Sequence, residues 1–219
     1  MAFNVAIDGP AGAGKSTIAK AVAAKKGYVY VDTGAMYRAM ALYFIRAGID
    51  STDEASISEA VKDIVVSIKY EDGMQHVILN DEDVTGLIRT EEVGNMASAT
   101  SVYSAVRTKL VALQQELAKT TDVIMDGRDI GTVVLPNADV KVFLTASVEC
   151  RAKRRFDELK GKGMDADFDQ IAKDIEERDY RDSHREISPL KQAEDAILVD
   201  SSDMTIDEVV SSILNLCNR

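Results

Sequence analysis

Residues 9–16 read Gly-Pro-Ala-Gly-Ala-Gly-Lys-Ser, and no other stretch restricts the fold of this chain so severely. The run fits G-x-x-x-x-G-K-[ST], the pattern of a loop that wraps phosphate with its own backbone. Glycines let successive N–H groups turn inward around phosphate oxygens. A helix starting at the end of the loop points its positive pole at the same place. The flanks comply: 3–8 is a short apolar run suited to a buried strand, and 16–26 reads as a helix with Gly27 just past its end. At ordinary residue frequencies the pattern arises by accident in under about 1% of chains this long, so an accidental glycine-rich turn is set aside. Lys15 is placed to reach the β- and γ-phosphates of a nucleoside triphosphate, and the Ser16 hydroxyl to ligate Mg²⁺. The expected triphosphate-binding set is Gly9, Pro10, Ala11, Gly12, Ala13, Gly14, Lys15, Ser16 and Thr17.

Charge narrows the partners. The 26 basic residues face 37 acidic ones, a formal −11, so bulk nucleic acid and anionic membrane are repelled unless cations are gathered locally. Six of the twelve arginines lie between 151 and 185, where ten basic residues match ten acidic ones. Arginine is the residue expected where phosphates or carboxylates are held bidentately, although a solvated helix laced with ion pairs uses the same composition. Neither nucleic acid nor membrane is expected as a partner. No stretch approaches the roughly 20 apolar residues of a membrane helix, and the opening residues reach Asp8 too soon for a signal peptide. With only Cys150 and Cys217, a reducing, cytoplasmic setting is expected.

The rest of the chain alternates strand and helix. Strands are expected at 28–31, 123–125, 140–144 and 196–199, and helices at 35–47, 104–119, 148–160, 167–184 and 206–216, the last opened by a Thr205–Glu208 capping box. A Ser51–Glu54 capping-box spacing predicts a short helix through 64. Two β-rich segments, 65–70 and 75–79, flank a turn-forming Glu71-Asp72-Gly73-Met74, with a third short strand at 84–85. The expected architecture is α/β: a P-loop NTPase-type parallel sheet with helices on both faces, plus a small antiparallel insert and a helical lid. Residues 1–60 and 96–219 are expected to form the core, with the lid at about 151–163, and 61–95 the insert.

A triphosphate loop does not say what is done with the triphosphate. The N/T-K-x-D motif of a guanine-reading GTPase and the LSGGQ signature of a transport ATPase are both missing from the sequence. Instead, Asp32-Thr33-Gly34-Ala35-Met36-Tyr37-Arg38 follows the second strand and Asp126-Gly127-Arg128-Asp129-Ile130-Gly131-Thr132 the third. Ligands of open α/β sheets gather at such strand ends. Arginines there can clamp a second phosphate-bearing substrate. Either segment alone reads more readily as a turn with a surface arginine; both facing one phosphate loop favour a site. Asp126 is open between orienting waters on Mg²⁺ and bonding the loop backbone, and Asp8 reads as structural.

These motifs, with IRTEEV-x-x-x-AS, Val106-Arg107, RAKRR and ERDYRDSHR, run nearly end to end and resemble the bacterial cytidylate kinases, in the nucleoside monophosphate kinase group. The resemblance implies Mg-dependent transfer of the ATP γ-phosphoryl group to CMP or dCMP, with 61–95 as the subdomain that binds the monophosphate. It implies Thr33, Arg38 and Arg128 as a phosphate clamp and Ser98, Arg107 and Asp129 as cytosine readers. Arg178 and Asp182, with Arg185 nearby, match positions that hold the ribose. Arg151, Arg154 and Arg155 fall in the lid over ATP, with Gly161 and Gly163 as hinges. Lys15, Arg128 and Arg155 are the catalytic set, and the protein is expected to be a monomer. A kinase for UMP or a non-nucleotide acid is an alternative, disfavoured by the Asp129 and Arg107 pair. A nucleotide sensor without turnover is another, disfavoured by the acceptor-side arginines. His76 is expected to be exposed, Cys150 a packed thiol and Cys217 a tail residue.

Overall fold

The computed structural model describes residues 2–71 and 74–218. Strand β1 (Asn4–Asp8) buries Val5, Ala6 and Ile7 completely, as a strand covered on both faces must. Helix α1 (Lys15–Lys26) follows it directly through the glycine loop. Next come β2 (Val29–Asp32), α2 (Thr33–Arg46) and α3 (Glu54–Ala60). The expected cap of α3 is corrected: Asp53, not Ser51, caps it, accepting from the Ser56 amide at 3.0 Å and the Ser56 hydroxyl at 2.6 Å. Two bonds to one carboxylate outdo a hydroxyl further upstream, and a 3₁₀ turn (Val61–Asp63) then ends the segment before 64.

Next come β3 (Val66–Glu71), β4 (Met74–Leu79) and β5 (Glu82–Asp83), an antiparallel sheet in the order β3-β4-β5. Asp72 and Gly73, the centre of the expected turn, lie outside the described residues. The third strand falls at 82–83 rather than 84–85, because Asn80 and Asp81 take positive φ (45° and 69°) and turn the chain back at once. His76 is half-buried rather than exposed, its Nδ1 lying 2.8 Å from Asp83 Oδ2 on the neighbouring strand.

A helix that the pattern did not predict, α4 (Glu91–Thr100), precedes α5 (Ser104–Thr120). After them come β6 (Val123–Gly127), a π-helical turn (Ile130–Val134), β7 (Val140–Thr145), α6 (Val148–Gly161), α7 (Phe168–His184), β8 (Ile197–Asp200) and α8 (Ile206–Leu216). Among the described residues the larger sheet runs β2-β6-β1-β7-β8, with β1 parallel to β6 and β7, and β7 parallel to β8.

The chain divides into two compact units, one of Val31–Thr120 and one of Ala2–Tyr30 with Thr121–Arg219. The core of the second packs Ile18 and Val22 of α1, Val5 and Ile7 of β1, and Val209 and Ile213 of α8. Cys217 belongs to that core and is 7% exposed. It continues the Ile213 stripe one turn on, so its reading as a tail residue is corrected. The Thr205–Glu208 capping box forms as expected. No helix among the described residues is long and apolar enough to cross a membrane.

Candidate active site

The glycine loop leaves β1 with no spare room. A Cβ on Gly9 would lie 1.9 Å from the Leu144 carbonyl oxygen of β7, at φ 149°. Only glycine lets the backbone pass that close. The loop closes on Lys15, whose Nζ donates to the Pro10 carbonyl at 2.7 Å and is buried with its stem. Burial, and then the Arg128 charge, push this lysine down to about 7, while Asp126, Asp8 and Asp182 pull it back up. The cation is thus held beside its loop without full compensation, the state in which incoming phosphate charge gains most. Ser16 donates its hydroxyl proton to Asp126 Oδ2 at 2.9 Å, and Tyr30 donates to Oδ1 of the same carboxylate at 2.8 Å. Asp126 therefore meets the end of the loop through the Ser16 side chain. Asp8 accepts from the Ile130 and Gly131 amides, each at 2.7 Å. Burial raises its carboxyl to about 6 against the pull of those two amides.

The end of β6 carries the second cluster. Arg128 Nε donates to Asp182 Oδ2 of α7 at 2.8 Å, and Arg185 approaches Asp129 Oδ1 at 3.8 Å. Burial works to raise the Asp182 carboxyl, but the charges of Arg128, Arg178 and Arg185 with the Arg128 hydrogen bond outweigh it and hold the group below its usual range. The sign follows: a carboxylate depressed in the folded state adds stability above its unfolded value near 4, and that contribution fades as pH falls through the folded one. Asp182→Asn is therefore expected to flatten the acid limb of the Tm–pH curve below pH 4 relative to the parent. Parallel curves over that range would remove Asp182 from the account of acid stability.

Helix α6 places its arginines in three ways. Arg151 is buried and donates to the carbonyls of Ala146 and Ala11, both at 2.9 Å, and to Asp179 Oδ2 at 2.6 Å. It joins the glycine loop, the end of β7 and α7 through one guanidinium. Arg154 reaches Ser201, donating to its carbonyl at 2.7 Å. Arg155 is exposed and paired with Glu158 one turn on, at 2.9 Å.

In the other unit, Thr33 is the buried first residue of α2, whose N-cap is Asp32. The Asp32 carboxylate accepts from the Ala35 amide at 2.9 Å and from Arg89 at 2.5 Å. Arg38 donates to the Ile88 and Thr90 carbonyls at 3.2 and 3.4 Å, its two terminal guanidinium nitrogens lying 3.0 and 3.1 Å from where a Cβ on Gly94 of α4 would be. Ser98 is half-buried on α4. Arg107 is buried, donates to the Ser101 carbonyl and lies 5.9 Å from the centre of the Tyr37 ring.

A family model described as cytidylate kinase matches residues 5–219. A cytidylate kinase of Bacillus pumilus is 51% identical over 217 residues, covering 99% of this chain and 96% of that one. One from Caldicellulosiruptor bescii is 54% identical over 214 residues, covering 98% and 95%. The chain belongs to the cytidylate kinase family. A solved shikimate kinase from Bacteroides thetaiotaomicron, 13% identical and covering 99% of each chain with a TM-score of 0.51, shares the fold. The cytidylate kinase chain is thus built on the P-loop kinase architecture expected from its sequence.

Within this family member the structure gathers Lys15, Ser16 and Asp126 at the glycine loop, and Arg128, Asp129, Asp182 and Arg185 in one cluster with the Arg178 charge. Arg155 stands outside both, on the surface of α6. Sequence reasoning missed Tyr30 and Asp179, which fix Asp126 and Arg151. Tyr30 lies in no short motif, and Asp179 lies inside ERDYRDSHR without a role there; their partners are 96 and 28 residues away, so nothing local said what either would hold.

Proposed function

We propose that the protein is a cytidylate kinase, transferring the γ-phosphoryl group of ATP to CMP or dCMP to give CDP or dCDP and ADP. An oxygen of the acceptor phosphate bonds to the γ-phosphorus as the bond to the β,γ-bridging oxygen breaks, and that oxygen leaves with ADP. Beyond family likeness, the reading is carried by the Arg128–Asp182 pair with Asp129 and Arg185. A protein that only sensed a triphosphate has no use for a second buried cluster of mixed charge beside Lys15.

Two phosphate charges about 4 Å apart repel by about 4 kcal/mol at an effective dielectric near 20. The chain offsets this with Lys15 on the donor and Arg128, Arg38 and Thr33 on the acceptor phosphate. Cytosine is assigned to Ser98, Arg107 and Asp129: a carboxylate accepts from the exocyclic amine, and arginine donates to the carbonyl and ring nitrogen. Arg178, Asp182 and Arg185 take the ribose side. The attacking atom is already a phosphate oxygen, so no general base is needed. Ser16 and Asp126 suit Mg²⁺, which takes one or two hard oxygen donors from protein and the rest from phosphate and water. Ser16 donates its hydroxyl to Asp126, which leaves its oxygen lone pairs available. When bound, the ion would neutralise negative charge on the triphosphate.

The segment at 151–163, with Arg154 and Arg155, serves as the lid that excludes water, and 61–95 as the subdomain for the monophosphate. The reading carries with it a cytoplasmic monomer acting on free nucleotides, with no nucleic acid or membrane partner. ADP formation from ATP and Mg²⁺ against CMP, dCMP, UMP, AMP, GMP and shikimate tests it. Rapid turnover confined to CMP and dCMP is expected. Preference for another acceptor would discard the base assignment, and ATP binding without turnover of any acceptor would leave a sensor.

A further inference from the structure

The turn after β6 begins with a helix start of unusual construction. Asp129 occupies the capping position of the π-helical turn, at φ −145° and ψ 27°, yet its side chain makes no capping bond there. Aspartate is among the best residues for that task, and leaving the first amides of a helix unsatisfied in a buried place is costly. The two amides are instead taken by Asp8, which reaches from the end of β1 and accepts from Ile130 and Gly131 at 2.7 Å each. Asp8 is 4% exposed and Asp129 6%. The Asp129 carboxylate faces Arg185.

We infer that Asp8 is a positioning residue for the acceptor side of the site: it caps the Ile130–Val134 turn in place of Asp129, and so keeps the Asp129 carboxylate turned toward the acceptor base. This rests on the cytidylate kinase reading above, and extends it to a residue that touches neither substrate.

The alternative, that Asp8 merely holds the glycine loop, is separable because the Asp8 backbone is anchored without its side chain. Within the ladders of β1, Asp8 is in register with Gly127 on one side and Phe143 on the other. Removing the carboxylate leaves those ladders intact. What it releases is the turn, whose nearest substitute cap is Asp129 itself. Asp129 then rotates onto its own following amides and away from the acceptor.

The test uses the full-length chain as parent, Asp8→Asn and Gly131→Ala. Asparagine keeps one acceptor oxygen and sets an NH₂ against the other amide. A Cβ at Gly131 would meet Asp8 Oδ2 at 3.3 Å and Lys141 Cδ at 3.2 Å, pressing on the same contact without removing charge. Steady-state rates with CMP and UMP, the KM for ATP, and the protection of the Ile130 and Gly131 amides against hydrogen exchange are compared. In Asp8→Asn the KM for CMP is expected to rise about tenfold or more and the preference for CMP over UMP to fall. The KM for ATP should stay within about twofold, and protection at residues 130 and 131 should drop, since a displacement of about 1 Å at a recognition group costs up to about 10². If the KM values for ATP and CMP rise together, or if neither moves, the positioning role is wrong. Should Asp8→Asn fail to fold, Gly131→Ala decides by the same criteria. A parent that does not prefer CMP overturns the underlying reading instead, and only that outcome does so.

Discussion

Lys15→Met is expected to lower turnover by about 10³ or more, and at the same time to make the nucleotide-free protein more stable at neutral pH. The first effect is the loss of a cation that meets charge developing on the transferred phosphoryl group, where a single preorganised donor is worth about 10²–10³ and an arginine finger about 10³–10⁵. The second follows from burial. Lys15 is pushed down to about 7 in the folded chain, against an unfolded value near 10.4. Between those values the unfolded chain holds a proton that the folded one has released, so parent stability climbs with pH across that window. Below about 7 both states are protonated and the full cost of the buried cation is present. Methionine has similar bulk, fills the same space and carries no charge to desolvate. Thermal unfolding of parent and variant from pH 6 to 10, without nucleotide, should show the variant ahead at the acid end and the gap closing as pH rises. A constant gap would mean that Lys15 does not titrate there. Retained turnover would remove Lys15 from the chemistry.

Arg128→Ala has the second large effect, and it reports on two functions at once. Turnover of CMP should fall by about 10³ or more, because the variant loses the acceptor-side guanidinium at the end of β6. Stability should fall by about 1–3 kcal/mol, because Asp182, 11% exposed at its side chain, loses its 2.8 Å donor. The two losses separate in a cycle. Arg128→Ala with Asp182→Asn should recover much of the stability and none of the turnover. Arg128→Lys should recover little of either, since an ammonium replaces a planar fork by a point charge. Near-normal CMP kinetics in Arg128→Ala would sink the phosphate clamp. Equal stability of all four proteins would mean that the Arg128–Asp182 bond contributes nothing to the fold.

The parts of this molecule that were legible in advance are those whose physics is local. A glycine loop between strand and helix must be read in sequence, and 9–16 is. The box at Thr205 and Glu208 is likewise complete within four residues, and α8 runs over the residues expected. Helix α4 was hidden because Gly94 sits in its middle, where sequence reasoning reads a breaker. The structure gives that glycine a tertiary reason: the Arg38 guanidinium lies 3.0 Å from where its Cβ would be, closer than most side chains allow. Thr90, which caps α4 by accepting from the Val93 amide, with Glu91 and Glu92 in the first turn, was the one signal available. At α3 the signal was misread, because two caps compete within three residues and only the fold selects Asp53.

The site followed the same division. The glycine loop nominated Lys15 and the strand-end segment Arg128, and the family resemblance added Asp129 and Asp182, but none of these could say which charge would lean on which. Arg151 was placed among residues over ATP. In the structure its three bonds go to Ala146, Ala11 and Asp179, the last two from segments 140 residues before it and 28 after it. Tertiary geometry of that kind carries no period and no motif. Asp8 shows the limit most plainly, since its partners Ile130 and Gly131 lie 122 and 123 residues on.

The place of β1 in the sheet has a consequence for how the protein is made. Both of its neighbours, β6 and β7, begin only at Val123 and Val140. The loop that follows β1 leaves the ribosome well ahead of both neighbouring strands, and the strand that holds it has no partner until more than a hundred further residues are translated. At about 5–20 residues per second that interval is on the order of ten seconds. Through it an apolar strand and an unshaped glycine loop wait for the second half of the chain. Messages truncated before β7 would therefore yield a chain that carries the whole phosphate motif and lacks the sheet that shapes it.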